Sequence, residues 1–189
     1  MSIFLTSDCH FNHDREFIWR ARGFDSVQEM NETIVSNWNA TVSADDEVYL
    51  LGDVMLGKDD SIEYLKRLNG KIHIILGNHD TSKRAKMYHN CDNVVSVSYA
   101  EMIKHGKYHI YLSHFPTITT NGETRGLSQV TLNMYGHTHQ TDNFYDEIPW
   151  LYHVGMDSHN CHPIQLEDAI NDMKIKMYEY KIAHGFFEN

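Results

Sequence analysis

The 189-residue sequence predicts an α/β fold of layered sheets and helices, and two observations carry that reading. Through the first half, three short apolar runs end abruptly in Gly, Asp, Asn or His and alternate with helix-patterned segments, the mark of parallel strands joined by helices. In the second half, strands follow one another without helices between them, which adds an antiparallel or mixed second sheet.

The elements follow in order. SIFLTS at 2–7 is short, apolar and β-prone and stops at Asp8, a buried strand with a polar terminus; a helix is expected from about residue 14. SVQEM at 26–30 has the S-x-x-E spacing of a helix N-terminus, and Val27, Met30, Ile34, Val35 and Trp38 share one helical face. EVYLLGD at 47–53 repeats the first pattern, Asp60 to Leu68 reads as a helix, and KIHIILGNHD at 71–80 is again a strand running into a polar tip. NVVSVSYAEMI and KYHIYLSHFP flank KHGK at 104–107, a hairpin pattern, and QVTLNMYGHTH and LYHVGMDS add two more strands. Leu166, Ile170, Met173 and Met177 repeat at helical spacing, giving a terminal helix from about Gln165 to Tyr180. The stretch 115–128 is a long loop, and such loops inside a compact domain more often carry function than not.

A chain of this length with 41% hydrophobic residues fills one domain, residues 1–189. No apolar run approaches a membrane span and no leader pattern is present, and the three cysteines show no paired spacing. A cytoplasmic protein without a membrane partner is expected. Sixteen Lys and Arg stand against 26 Asp and Glu, a formal charge of −10, which argues against extended nucleic acid as a partner.

Histidine is the outlier, at 14 residues. Five strand ends carry potential metal ligands: Asp8 with His10, Asp53, Asn78 with His79, His114, and His137 with His139. Any one of these is an ordinary turn or surface residue in most proteins; five at the same kind of structural position require a common cause. In GHTH, strand alternation puts both imidazoles on one side. A mixed nitrogen and oxygen donor set suits Mn, Fe, Zn or Ni, and the lack of paired cysteines argues against thiolate zinc or iron–sulfur sites. Two cations about 3.5–4 Å apart need a bridging carboxylate, and Asp53 is the natural one.

The ordered series DCH, GDV, GNHD, SHFP and GHTH resembles the five-block signature of the calcineurin-like metallophosphoesterase superfamily, in particular its small single-domain bacterial and phage-type members. The tract at 153–170 also resembles the end of such members. The resemblance implies a four-layer α/β/β/α sandwich of two mixed sheets flanked by helices. It implies two divalent or trivalent transition-metal ions, with Mn the leading choice. Asp8, His10, Asp53 and His139 would hold one ion, and Asp53, Asn78, His114 and His137 the other. It implies a phosphoesterase acting by attack of a metal-bridging hydroxide on phosphorus, with no covalent enzyme intermediate. His79 would protonate the leaving oxygen, and Asp80 would orient His79 by taking its other N–H.

Within that resemblance, phosphodiesters of nucleotide type are favoured over monoesters. The competing readings are a phosphomonoesterase of the same fold and a non-catalytic metal-binding scaffold, whose usual mark, eroded ligands, is missing here. The expected partner is a small phosphate ester such as a nucleotide. On the rim, His13 matches a histidine after the first block in some small relatives and is a candidate for touching substrate, as against capping the next helix. Lys83, Arg84 and Lys86 read as a solvated helix face or as a local anion site, with Arg84 the candidate substrate contact and Arg125 in the long loop a second. Cys9, between two ligands, reads as packed core, and His159 and His162 as structural or surface residues.

Overall fold

Phe4 and Leu5 are neighbours in the first strand and are both buried, so the sheet they belong to must be covered on both faces. The computed structural model, which describes residues 1–120 and 125–186, shows this arrangement. Strand β1 (Ile3–Thr6) pairs in parallel with β2 (Glu47–Leu50), and β2 with β3 (Lys71–Ile75), in the register Phe4–Val48–Ile72. Strand β4 (Val94–Ser98) closes one edge in parallel, and the two-residue β9 (Ile164–Gln165) lies antiparallel on the far side of β1. The second sheet runs β5 (Ala100–His105), β6 (Tyr108–Ser113), β7 (Thr131–Tyr135), β8 (Leu151–His153), with only β5 antiparallel to its neighbour.

Alternation along the first sheet divides the core in two. Phe4, Val48, Leu50, Ile72 and Ile74 face the helices α1 (Glu16–Trp19), α2 (Val27–Thr41), α3 (Ile62–Lys66) and α4 (Ser82–Tyr88). Leu5, Leu51 and Ile75 join Ile110, Leu112, Leu132 and Met134 of the second sheet, and α5 (Leu166–Ala183) adds Ala169, Ile170, Met173 and Met177. The result is the four-layer sandwich, helices α1–α4, two mixed sheets, then α5.

Helix α2 starts where expected: the Ser26 hydroxyl accepts from Glu29 N–H at 3.1 Å, and the Glu29 carboxylate accepts from Asp25 N–H. Its Trp38 is fully buried, and the indole N–H donates to the Asn69 carbonyl at 2.9 Å. Trp38→Ala should therefore cost about 3–5 kcal/mol by leaving a cavity and an unmatched carbonyl. The denaturation midpoint would report it, and a loss below about 1 kcal/mol would show that the core collapses to fill the space.

Three details differ from the sequence reading. The run 93–103 is not one hairpin arm: β4 belongs to the first sheet and β5 to the second, with Tyr99 alone carrying the chain across. Propensity marks both segments as strands but does not say which sheet receives them. The helix expected after residue 14 is a single turn, whose N-terminal Arg15 provides no side-chain cap. The terminal helix runs one turn further than expected, to Ala183. The hairpin at KHGK is present and turns on Gly106 at φ +55°. Residues 121–124 of the long loop lie outside the described residues.

The consequence of this topology for function is directional. Strands β1, β2 and β3 run parallel, as do β6, β7 and β8, and a parallel bridge between Ser7 and Gly155 joins the two sets where β1 ends. The segments that follow these strands therefore meet at one edge of the sandwich.

Candidate metal centre

The loops after β1 and β2 are laced together, Asp8 N–H to Gly52 O and His10 N–H to Asp53 O, both at 3.0 Å. Five of the seven candidate ligands hold a left-handed backbone: Asp8 (φ 58°), His10 (50°), Asp53 (53°), His137 (70°) and His139 (50°). Each such residue costs roughly 1–2 kcal/mol relative to a relaxed backbone, and strain of this kind gathers at functional sites. It also corrects the expected geometry of GHTH. Strand β7 ends at Tyr135, so His137 and His139 are aimed by these turns and not by strand alternation.

Glycine makes the packing possible. A Cβ on Gly77 would lie 2.2 Å from Asp53 Oδ1, and one on Gly136 would lie 2.5 Å from Asp8 Oδ2. The space a side chain would take is filled by Asp53 at Gly77 and by Ser7 and Asp8 at Gly136.

The donors converge in two overlapping groups. Ligand atoms of Asp8, His10 and His139 lie within 4.8 Å of one another, and so do those of Asp8, Asp53 and His114. Asp53 Oδ2 stands 3.7 Å from His10 Nε2 and 3.6 Å from His114 Nε2, one imidazole from each group. Asn78 joins through Oδ1, 2.9 Å from His114 Nε2, while the His137 ring packs 5.0 Å from that of His114 and the His137 backbone N–H donates to Asp8 Oδ2 at 2.9 Å.

The outer hydrogen bonds fix which ring nitrogen faces inward. His114 Nδ1 donates to the Leu51 carbonyl at 2.8 Å, and His139 Nδ1 donates to Asp157 Oδ2 at 3.0 Å. Burial raises the Asp157 carboxyl, but hydrogen bonds from His139 and Arg22 outweigh it and hold the group well below the usual carboxylate range. With Nδ1 of each ring engaged in these bonds, Nε2 is the nitrogen turned toward the other candidate ligands. His139 Nε2 faces His10 Nε2 at 3.1 Å; burial lowers the His10 pKa, whereas for His139 the hydrogen bond to Asp157 and the neighbouring carboxylates outweigh burial and raise it. His114 Nε2 faces the Asn78 Oδ1 acceptor in the same way. Asp8 Oδ1 is buried without a hydrogen-bond partner among the described residues. A buried carboxylate oxygen without a partner, set among imidazole nitrogens and an amide oxygen, is unfavourable alone and favourable around a cation, so the residues fit a metal site of mixed nitrogen and oxygen donors.

Two of the expected site residues have other contacts. Asp80 does not touch the His79 imidazole. Its Oδ2 accepts from Asp53 N–H at 2.7 Å and Gly77 N–H at 2.9 Å, and its Oδ1 from the Tyr88 hydroxyl at 2.7 Å. The buried carboxylate thus shapes the backbone beneath Asp53. Arg84 turns its guanidinium onto the carbonyls of His79, Leu56 and Gly57, tying two loops together. Lys83 pairs with Asp59.

His79 stands at the rim, its side chain 40% exposed, with Nε2 3.9 Å from Asp53 Oδ2. His13 is close by, its ring 5.2 Å from that of His10 and 6.3 Å from that of His79. Arg125 is exposed, and no hydrogen bond or ion pair ties it to the centre among the described residues. Cys9 is buried in the first core cluster, pointing away from the ligands on either side of it.

Arg22 and Asp157 were not anticipated. Arg22 Nε and Nη2 donate to the two oxygens of Asp157 at 3.0 and 2.9 Å, and Nη2 also donates to the Asp8 carbonyl at 2.7 Å. One guanidinium therefore braces both the Asp8 turn and the carboxylate that orients His139. Asp157→Ala should weaken Mn binding about 10–100-fold while the fold persists. Titration of the apoprotein with Mn would measure this, and an unchanged affinity would remove Asp157 from that role.

Fold and centre together define a metal-binding α/β sandwich whose ligands sit at the strand ends. The chain belongs to the calcineurin-like phosphoesterase superfamily, whose domain model matches residues 1–160. Among known proteins it is 34% identical over 146 residues to an uncharacterized protein of Methanocaldococcus jannaschii, covering 69% of this chain and 83% of that one. It is 28% identical over 209 residues to the Gene 66 protein of Mycobacterium phage L5, covering 97% and 99%. A crystal structure of a protein of unknown function from Aquifex aeolicus shares the fold, with a TM-score of 0.68 at 21% identity over 90% of this chain and 98% of that one.

Proposed function

We propose that this chain is a dinuclear metal-dependent phosphoesterase that favours phosphodiesters of nucleotide type. The observation that carries the reading is the position of Asp53 Oδ2 between His10 Nε2 and His114 Nε2, at 3.7 and 3.6 Å, where one carboxylate serves two donor groups. Asp8, His10, Asp53 and His139 would hold one ion, and Asp53, Asn78, His114 and His137 the other, with Mn the leading candidate. Bound there, such ions supply Lewis acidity toward phosphate oxygens and a hydroxide at neutral pH. The chain supplies the rest. Arg22 and Asp157 hold His139 in one orientation, Asp80 fixes the Asp53 turn, and His79 at the rim delivers a proton to the departing oxygen.

The preference for diesters rests on the resemblance to the small single-domain members of the family. Arg84 is engaged with carbonyls, and the cavity bordered by His10, His79 and His139 has no Lys or Arg among its lining residues. No helix among the described residues is long and apolar enough to cross a membrane, and the three buried free thiols suit a reducing compartment such as the cytoplasm.

The test is to load the purified chain with Mn, count ions and assay bis-p-nitrophenyl phosphate beside p-nitrophenyl phosphate. Two ions and faster diester cleavage are expected. Monoester cleavage alone would make it a phosphatase, two ions without turnover would favour a scaffold, and fewer than two would break the dinuclear assignment.

A further inference from the structure

The cavity that borders the metal centre is larger than a phosphate needs. Its volume is about 480 Å³, within the range of small-molecule sites. Its lining combines the polar groups His10, His13, His79, His139 and Asp157 with the apolar Phe17, Ile18, Ala21 and Leu56. A phosphate held at the metal centre would therefore have apolar residues within the cavity for one of its substituents.

Phe17 is the feature that needs explaining. It lies on the single-turn helix α1, anchored from below by the buried Ile18 and Trp19, and yet its own side chain is 69% exposed. A lone exposed phenylalanine is common on protein surfaces. This one stands at the mouth of the cavity and meets the His13 ring edge-on, with centroids 5.6 Å apart and planes at 86°. His13 in turn neighbours His79, 6.3 Å away. Two rings at a right angle form a corner that a flat ring can enter, one face against the first and its edge toward the second.

We infer that this recess receives a nucleobase carried by the phosphate ester, stacked on Phe17 and backed by Leu56 and Ile18. The inference rests on the phosphoesterase reading and adds to it the residues that would hold the base. Two features favour a base over the other occupants a diester could offer. A second phosphate would meet no Lys or Arg on the cavity lining. An alkyl chain would make no use of the polar groups there, His13, His79 and Asp157, whereas a base edge can hydrogen-bond to them. Stacking of one base on an aromatic side chain is strong enough to set affinity.

The test is equilibrium binding to the Mn-loaded chain, comparing thymidine 5′-phosphate with methyl phosphate. The two ligands offer the same phosphate to the centre and differ in the base and sugar. Thymidine 5′-phosphate should bind at least about tenfold more tightly; Phe17→Ala should reduce that preference roughly fivefold or more, and Phe17→Tyr should retain it. Equal binding of the two phosphates, a preference that survives both Phe17→Ala and Leu56→Ala, or binding of neither would each overturn the inference. Turnover separates it from the reading beneath it. A clear preference for thymidine 5′-phosphate in a chain that leaves bis-p-nitrophenyl phosphate intact would keep the recess and remove the phosphoesterase. Cleavage of the diester without a preference would do the reverse.

Discussion

Asp53→Asn should abolish phosphoester hydrolysis and lower the metal content of the purified chain. The exchange keeps the size of the side chain and removes its charge, so the effect isolates electrostatics. Asp53 Oδ1 accepts from His79 N–H at 2.9 Å, and an amide oxygen can keep that bond. The loss falls on Oδ2, the oxygen between His10 and His114. Two neighbouring cations repel one another, and a neutral amide cannot screen them as a carboxylate does. Metal analysis after dialysis, together with the diester assay, checks this. Full occupancy with normal turnover would take Asp53 out of the bridging position.

His79→Ala should separate binding from chemistry. The side chain is not placed among the ligands and is substantially open to solvent, so both ions should remain while kcat falls by about 10²–10⁴. A proton donor matters most when the departing oxygen is a poor leaving group. The deficit should therefore be large for alkyl esters and small for nitrophenyl esters. An equal deficit for both would assign His79 to positioning instead of proton transfer. Because the Asp80 carboxylate supports the Asp53 turn and not the His79 ring, Asp80→Asn should resemble a metal-binding lesion more than a His79 lesion.

The legible part of the fold was the part written in contiguous residues. Apolar runs that stop at Gly-Asp or Gly-Asn expose both the strand and the loop behind it, and the Ser26 cap with its face of Met30, Ile34 and Trp38 exposes α2. Such signals depend on neighbours three or four positions apart. Arg22 and Asp157 give no such signal: they meet across 135 residues, and an arginine before a glycine looks like any surface turn. The placement of Asp80 failed for a related reason. The family resemblance implied a partner for His79, but the turn at 77–80 sends the carboxylate inward to backbone N–H groups. The division of the run 93–103 between two sheets was equally hidden, because strand propensity is local and sheet membership is not.

The bridge between Ser7 and Gly155 places the centre on the seam between the two sheets. Asp8, His10, Asp53 and Asn78 follow strands of one sheet, whereas His114, His137 and His139 follow strands of the other. A cation gripped from both sides is a clasp. Its binding energy adds to the cohesion of the halves, so the occupied chain should unfold as one cooperative unit at a higher temperature than the empty one. On the proposed reading, turnover and part of the thermal stability would then depend on the same few atoms.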